Sequence, residues 1–204
     1  MLILGITGGI ATGKSTVTRL LAELGAPTIS ADALARDLLA PGTETTRQVL
    51  RAFPQCADPQ DARGLTVDRR ALSRVIFADP QARQRLEALT HPPIIAALAA
   101  QADHWRAMPS PRAAALEIPL LFEAGLSALV DRVVVVACHE EKQIARLRER
   151  AGVDESEARR QIAAQWPLSD KISRADSVIT TDDDLAETRQ QVQALWEALA
   201  HLRP

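Results

Sequence analysis

Leu2 to Thr7 is a short apolar run closed by Gly8-Gly9, the pattern of a buried strand, and from Ser15 to Leu24 apolar residues recur at helical spacing before Gly25. The chain therefore opens as strand, glycine loop, helix. Pro27 to Ser30 predicts a second short strand, and Ala31 to Leu39 a helix stopped by Pro41-Gly42. The pattern then turns helical over Glu44 to Phe53, Asp68 to Phe77, Gln81 to Thr90 and Pro93 to Met108. Asp79-Pro80 supplies a helix start, while His91-Pro92-Pro93 predicts a break that ends one helix and orients the next. Strand signals return at Ala113 to Ile118 and at Arg132 to Ala137, whose Val133 to Val136 centre fits a strand buried on both faces of a parallel sheet. Two further helices follow, Glu140 to Ala151 ended by Gly152, and one opened by Asp154 with Glu157 and running to Gln165; their composition reads as too polar for a core. Ser177 to Thr181 is a last strand, and Leu185, Val192, Leu195, Trp196 and Leu199 form one face of a closing helix. Strands alternating with helices around a helical insertion predict an α/β fold.

Composition narrows the function. At 204 residues, 47% hydrophobic and 25% charged, the chain has the make-up of a globular domain with one sizeable core. Lys+Arg of 24 against Asp+Glu of 26 gives a net charge of −2, so no whole-chain positive field exists to hold a nucleic-acid backbone. Aromatic residues make up 3%, with no tyrosine, which leaves few surfaces on which bases could stack. Nucleic acid is not an expected partner. Cys56 and Cys138 are far apart and lack C-x-x-C spacing, and His91, His104, His139 and His201 lack metal spacing, so a disulfide framework and a zinc site are both unexpected. No apolar run approaches the roughly 18 residues of a membrane span, and Met1 to Ile10 has no basic leader. The expectation is a cytoplasmic protein that needs no membrane; the pattern leaves oligomeric state open.

The strongest motif is Gly8-Gly9-Ile10-Ala11-Thr12-Gly13-Lys14-Ser15, a P-loop placed between a predicted strand and a predicted helix. Its glycines let backbone N–H groups surround phosphate at a helix N-terminus, Lys14 reaches the β- and γ-phosphates of a nucleotide, and the Ser15 hydroxyl can ligate magnesium. Asp32, just past the second strand, is placed either to take a proton from an attacking hydroxyl or simply to cap the next helix. Glu117 ends an aliphatic run, where an acid can serve magnesium or its bound water or can be a solvated strand-end carboxylate; Glu123 has less to recommend it. Arg146 and Arg150 lie one helical turn apart and, with Arg148, offer either guanidiniums for transferring phosphoryl charge or a solvated face paired with Glu149 and Glu155. Asp61-Ala62-Arg63-Gly64 has an Asp-x-x-Gly spacing, but no Asn-Lys-x-Asp motif accompanies it, so it reads as a loop.

Taken together, these motifs resemble one family. Gly5 to Ile10 leading into Gly13-Lys14-Ser15-Thr16, Ala31-Asp32 with Ala35-Arg36, Arg69 to Leu72, Ile76-Phe77, His91-Pro92, Pro119 to Glu123, Gln143 with Arg146 and Arg150, Gln165, and Ala175-Asp176 are similar, in order, to the dephospho-CoA kinases. The resemblance implies a P-loop kinase core with a five-stranded parallel sheet flanked by helices, at about 1–31, 112–139 and 175–204. It also implies a helical acceptor-binding region at about 32–111 and a lid at about 140–174. It implies transfer of the γ-phosphate of ATP, with Mg2+, to the ribose 3′-hydroxyl of dephospho-CoA; another P-loop kinase acting on a nucleotide or sugar hydroxyl is the alternative. By similarity Asp32 is the base, Lys14 the phosphate clamp, and Arg146 and Arg150 stabilise the transition state. Gly8, Gly9, Ala11, Thr12, Gly13, Lys14, Ser15 and Thr16 bind the nucleotide, Asp32, Arg36 and His91 meet the acceptor, and Ser15 with Glu117 serves the metal. Three positions depart from the family pattern: Ser30 replaces an acid, Thr181 an asparagine, and Ala11 a glycine, an exchange that a negative φ at Ala11 would tolerate.

Overall fold

The computed structural model describes residues 1–109 and 112–201. Five strands, β1 (Leu2–Gly8), β2 (Thr28–Ser30), β3 (Ala113–Glu117), β4 (Arg132–Ala137) and β5 (Ser177–Thr180), form one sheet in the order β2-β3-β1-β4-β5, with every neighbouring pair parallel. All seven residues of β1 are buried, as a central parallel strand covered on both faces requires. After β1 the chain adds β2 and β3 on one side, then β4 and β5 on the other. β1 therefore stands where the winding reverses, and in such sheets ligands bind beyond the carboxyl end of that strand.

The chain divides into two compact units. The first comprises Met1–Ser30 and the chain from Gln101 onward. It holds the sheet, α1 (Lys14–Glu23), α6 (Glu140–Ala151), α7 (Glu155–Ala163), the short α8 (Leu168–Ile172) and α9 (Leu185–Ala198). Alternate residues Leu2, Leu4 and Ile6 of β1 pack with Val17, Leu20 and Leu21 of α1 and with Val192, Leu195 and Trp196 of α9, so one sheet face is sealed by the first and last long helices. α6 and α7 are less polar in effect than in composition. Ile144, Leu147 and Ala158 are buried together, because a stripe of residues three and four apart is enough to make a helix face apolar.

The second unit, Ala31–Ala100, is helical: α2 (Ala31–Leu38), α3 (Glu44–Ala52), α4 (Arg69–Ala78) and the larger part of α5 (Pro80–Arg106). Its core gathers Val49, Phe53, Cys56, Val67 and Leu72, with Leu86 and Leu89 packed against them. The expected break at Pro92-Pro93 does not occur; both prolines lie inside α5. The pair removes hydrogen bonds to two preceding carbonyls, yet apolar burial on both sides, at Leu86 and Leu89 before it and at fully buried Leu98 after it, keeps the helix in one piece. Asp61 sits in a loop as the sequence implies, where its carboxylate accepts hydrogen bonds from Thr66 Oγ1 and from the Arg63 and Leu65 N–H groups, which hold it below the ordinary value. Among the described residues no helix is long and apolar enough to cross a membrane.

Candidate active site

The loop Gly9 to Gly13 joins β1 to α1 at the carboxyl end of the central strand. Gly13 is the N-cap of α1 with φ 90°, a conformation natural to glycine, and no side chain caps the helix. The first N–H groups of an α-helix have no intrahelical partner, so this end is open to an anion, and no acidic residue occupies the first turn to repel one. At Gly8 there is no room for a side chain: a Cβ would lie 2.1 Å from the Val136 carbonyl oxygen of β4.

Lys14 is 9% exposed, and its Nζ donates to Gly9 O at 2.8 Å, which keeps the ammonium curled over the loop. Thr12 Oγ1 donates to the same carbonyl at 2.9 Å. Ser15, the second residue of α1, is exposed and its hydroxyl makes no hydrogen bond among the described residues. Glu117 is 9% exposed at the end of β3, level with Ile6 of β1 and Ser30 of β2. An open hydroxyl and a buried strand-end carboxylate are hard oxygen donors of the kind magnesium accepts. No group of three His, Cys, Asp or Glu residues that could hold a metal occurs among the described residues.

Ala11 corrects an expectation. Its φ is +59°, the only positive value at a non-glycine among the described residues, so the exchange of glycine for alanine is made at a position that disfavours a Cβ. Arg146 is also more engaged than a solvated arginine. From half-buried α6 it donates to Ala11 O at 3.2 Å, to Thr181 Oγ1 at 3.0 Å and to Thr181 O at 2.7 Å. Thr181 in turn donates to Thr12 O at 2.8 Å, so the residue that departs from the family pattern ties the end of β5 to the loop. Burial pushes the neighbouring Cys138 thiol above its ordinary value despite Arg146 nearby, so it stays protonated at neutral pH. Arg150, one turn further along α6, is exposed and makes no ion pair among the described residues.

The remaining sequence candidates lie in the helical unit and are exposed. Asp32 is the second residue of α2, inside the helix, and its carboxylate makes no capping hydrogen bond, which removes the cap reading. Arg36 donates from Nε to Asp32 O at 3.3 Å. His91 is exposed within α5. One pair escaped sequence reasoning: Lys171, fully buried in α8, forms an ion pair with Glu123 at 2.6 Å, and Glu123 also accepts from Trp166 N–H at 3.2 Å. Only the match of Pro119 to Glu123 to a family segment pointed to Glu123, and nothing local marked Lys171, because their contact spans the fold.

Comparison with known proteins adds four findings. The family model described as CoaE: Dephospho-CoA kinase matches residues 2–187. The dephospho-CoA kinase of Geobacter metallireducens is 45% identical over 204 residues, 100% of both chains. Among solved structures, TT1252 from Thermus thermophilus matches with a TM-score of 0.80 at 33% identity, covering 100% of this chain and 98% of that one. The dephospho-CoA kinase from Campylobacter jejuni matches with a TM-score of 0.66 at 25% identity, covering 97% of this chain and 96% of that one.

Proposed function

The chain belongs to the dephospho-CoA kinase family, and on that premise we propose how its residues share the reaction. The enzyme phosphorylates dephospho-CoA with ATP, a step of coenzyme A biosynthesis. The match along nearly the whole chain carries the acceptor's identity, because a phosphate loop by itself serves kinases of many hydroxyls.

In this reading the ribose 3′-hydroxyl of dephospho-CoA attacks the γ-phosphorus of ATP. Asp32, an exposed carboxylate with no competing partner among the described residues, takes the hydroxyl proton as the new P–O bond forms and the bond to the β,γ-bridging oxygen breaks, releasing ADP. Lys14 and the loop residues Gly8, Gly9, Ala11, Thr12, Gly13, Ser15 and Thr16 hold the donor phosphates, and charge stabilisation there is worth most where water is excluded. Arg146 acts with its guanidinium pinned, and Arg150 with one free to reach the transferring group. Magnesium, when bound, supplies charge neutralisation on the phosphates, and Ser15, with Glu117 through a bound water, would hold it.

Regions 1–31, 112–139 and 175–204 carry the donor in this reading, 32–111 the acceptor, and 140–174 serves as a lid. Arg36 and His91 meet the acceptor. A further observation favours the helical region for that role: Arg69, Arg70 and Arg74 of α4 line a shallow surface groove with Phe77 and the Asp68 carboxylate at the helix start, and three guanidiniums suit a phosphate-bearing acceptor. We place the reaction in the cytoplasm, where the free, buried Cys56 and Cys138 would remain reduced. The test is ATP consumption with magnesium, with and without dephospho-CoA, with the acceptor weighed before and after. Gain of one phosphate at the 3′-position is expected; transfer only to a nucleotide or sugar hydroxyl would overturn the assignment.

A further inference from the structure

The loop that cradles phosphate is itself held by two glutamines outside it. Ile10 N–H donates to Gln165 Oε1 at 2.7 Å, and Gln143 Nε2 donates to Ile10 O at 3.0 Å, so both polar backbone groups of one loop residue are taken by side chains more than a hundred positions away. Gln143 is 3% exposed and reaches this place only because Gly9 lacks a side chain: a Cβ there would stand 2.4 Å from Gln143 Nε2. The second glycine of the motif thus makes room for a brace. Ile10 and Ala11 also pack against the α6–α7 cluster of Ile144, Leu147 and Ala158. The next residue after this bracket is Ala11, held at φ +59°. An alanine persists in that region only where its surroundings over-determine the backbone, and here the surroundings are Gln143 and Gln165 on one side and Arg146 on the Ala11 carbonyl. The Gln165 segment is anchored in turn, since Trp166 N–H bonds Glu123, which is paired with buried Lys171.

We infer that Gln143 and Gln165 are positioning residues for the nucleotide: by fixing Ile10 from both sides they impose the left-handed turn at Ala11 and thereby aim the loop's N–H groups at the donor phosphates. The inference rests on reading Gly8–Ser15 as the donor site. It assigns the glutamines no contact with substrate. It also links α6 and the chain after α7 to donor affinity, so an event that moves Gln165 away from Ile10 loosens the grip on the nucleotide.

The test uses Gln143→Met and Gln165→Met, which keep side-chain length and remove the hydrogen bond, each made in the natural chain and in an Ala11→Gly background. ADP binding and the KM values for ATP and for the acceptor are measured for each. The expected result is a rise of about tenfold in KM for ATP and in the ADP dissociation constant, the effect of one lost hydrogen bond to a buried group, with the acceptor KM unchanged. In the Ala11→Gly background, where glycine adopts the turn without help, the rise should fall below about threefold. Nucleotide affinity unchanged in both methionine variants, or the same loss in both backgrounds, would overturn the inference. If one variant does not fold, the other decides alone. Failure of the natural chain to bind ADP would instead overturn the donor-site reading.

Discussion

The two units present their chemistry in opposite ways. In the sheet unit Lys14, Thr12, Glu117 and Gln143 are buried, and Arg146 is tied to two backbone carbonyls and a hydroxyl. In the helical unit Asp32, Arg36 and His91 are exposed, α2 buries none of its residues, and the Asp32 carboxylate has no partner among the described residues. One set of candidate residues is held in place by the fold, and the other is left exposed. The difference predicts that substitutions of the buried or tied groups of the sheet unit change stability and activity together, whereas those of the exposed candidates in the helical unit change activity alone.

The largest effect expected is that of Asp32→Asn, which should lower kcat about 10³-fold, within the range a general base supplies, while leaving the thermal midpoint and ADP affinity as they are. A shifted midpoint would break the contrast, and unchanged turnover would end the base assignment. Lys14→Ala should cost about 10²–10³ in kcat/KM, because phosphoryl transfer depends on positioned charge, and should also weaken ADP binding in calorimetry. Rates near those of the natural enzyme would show that the loop is not the donor site.

A sharper comparison lies within α6. Arg146→Met removes charge-assisted hydrogen bonds to Ala11 and Thr181 and should destabilise the fold by about 1–3 kcal/mol in urea titration as well as slow turnover. Arg150→Met should slow turnover about tenfold with no change in the urea midpoint, since an exposed arginine with no ion pair among the described residues has little to lose on unfolding. Equal stability losses in the two would erase the distinction between pinned and free guanidinium.

The smallest effect concerns pH. Burial works to raise the Asp176 carboxyl, but the Val133 N–H at 2.7 Å and the Arg132 guanidinium at 2.7 Å outweigh it and hold the group below its ordinary value. A carboxyl depressed in the folded state contributes stability above its unfolded value and loses that contribution as pH falls through the folded value. The natural chain should therefore melt slightly above Asp176→Asn at pH 7, and the gap should close as pH is lowered from about 5 toward 2. A gap that widens in acid would contradict the sign.

Much of the fold is legible because its signals are local. The β1–loop–α1 unit, the valine run of β4 and the helix cap at Asp154 depend on neighbours within a turn or a strand. Two readings failed where tertiary burial outweighed local preference: the proline pair that does not break α5, and the polar helices whose narrow apolar stripe is buried. The site divides along the same line. Lys14 and Ser15 announce themselves by spacing, Asp32 required the resemblance, and Lys171 with Glu123 had no local signal.

The sequence by itself determined the α/β class and the phosphate loop, since periodicity and motif spacing are properties of adjacent residues, and its resemblance to the dephospho-CoA kinases pointed to the family. Only the tertiary structure decided that Ala11 takes a left-handed turn, that Gly9 is small to admit Gln143, and that Thr181 and Arg146 close on the loop. Those contacts join residues more than a hundred positions apart, and their geometry follows from the packing of whole elements, which no local pattern encodes.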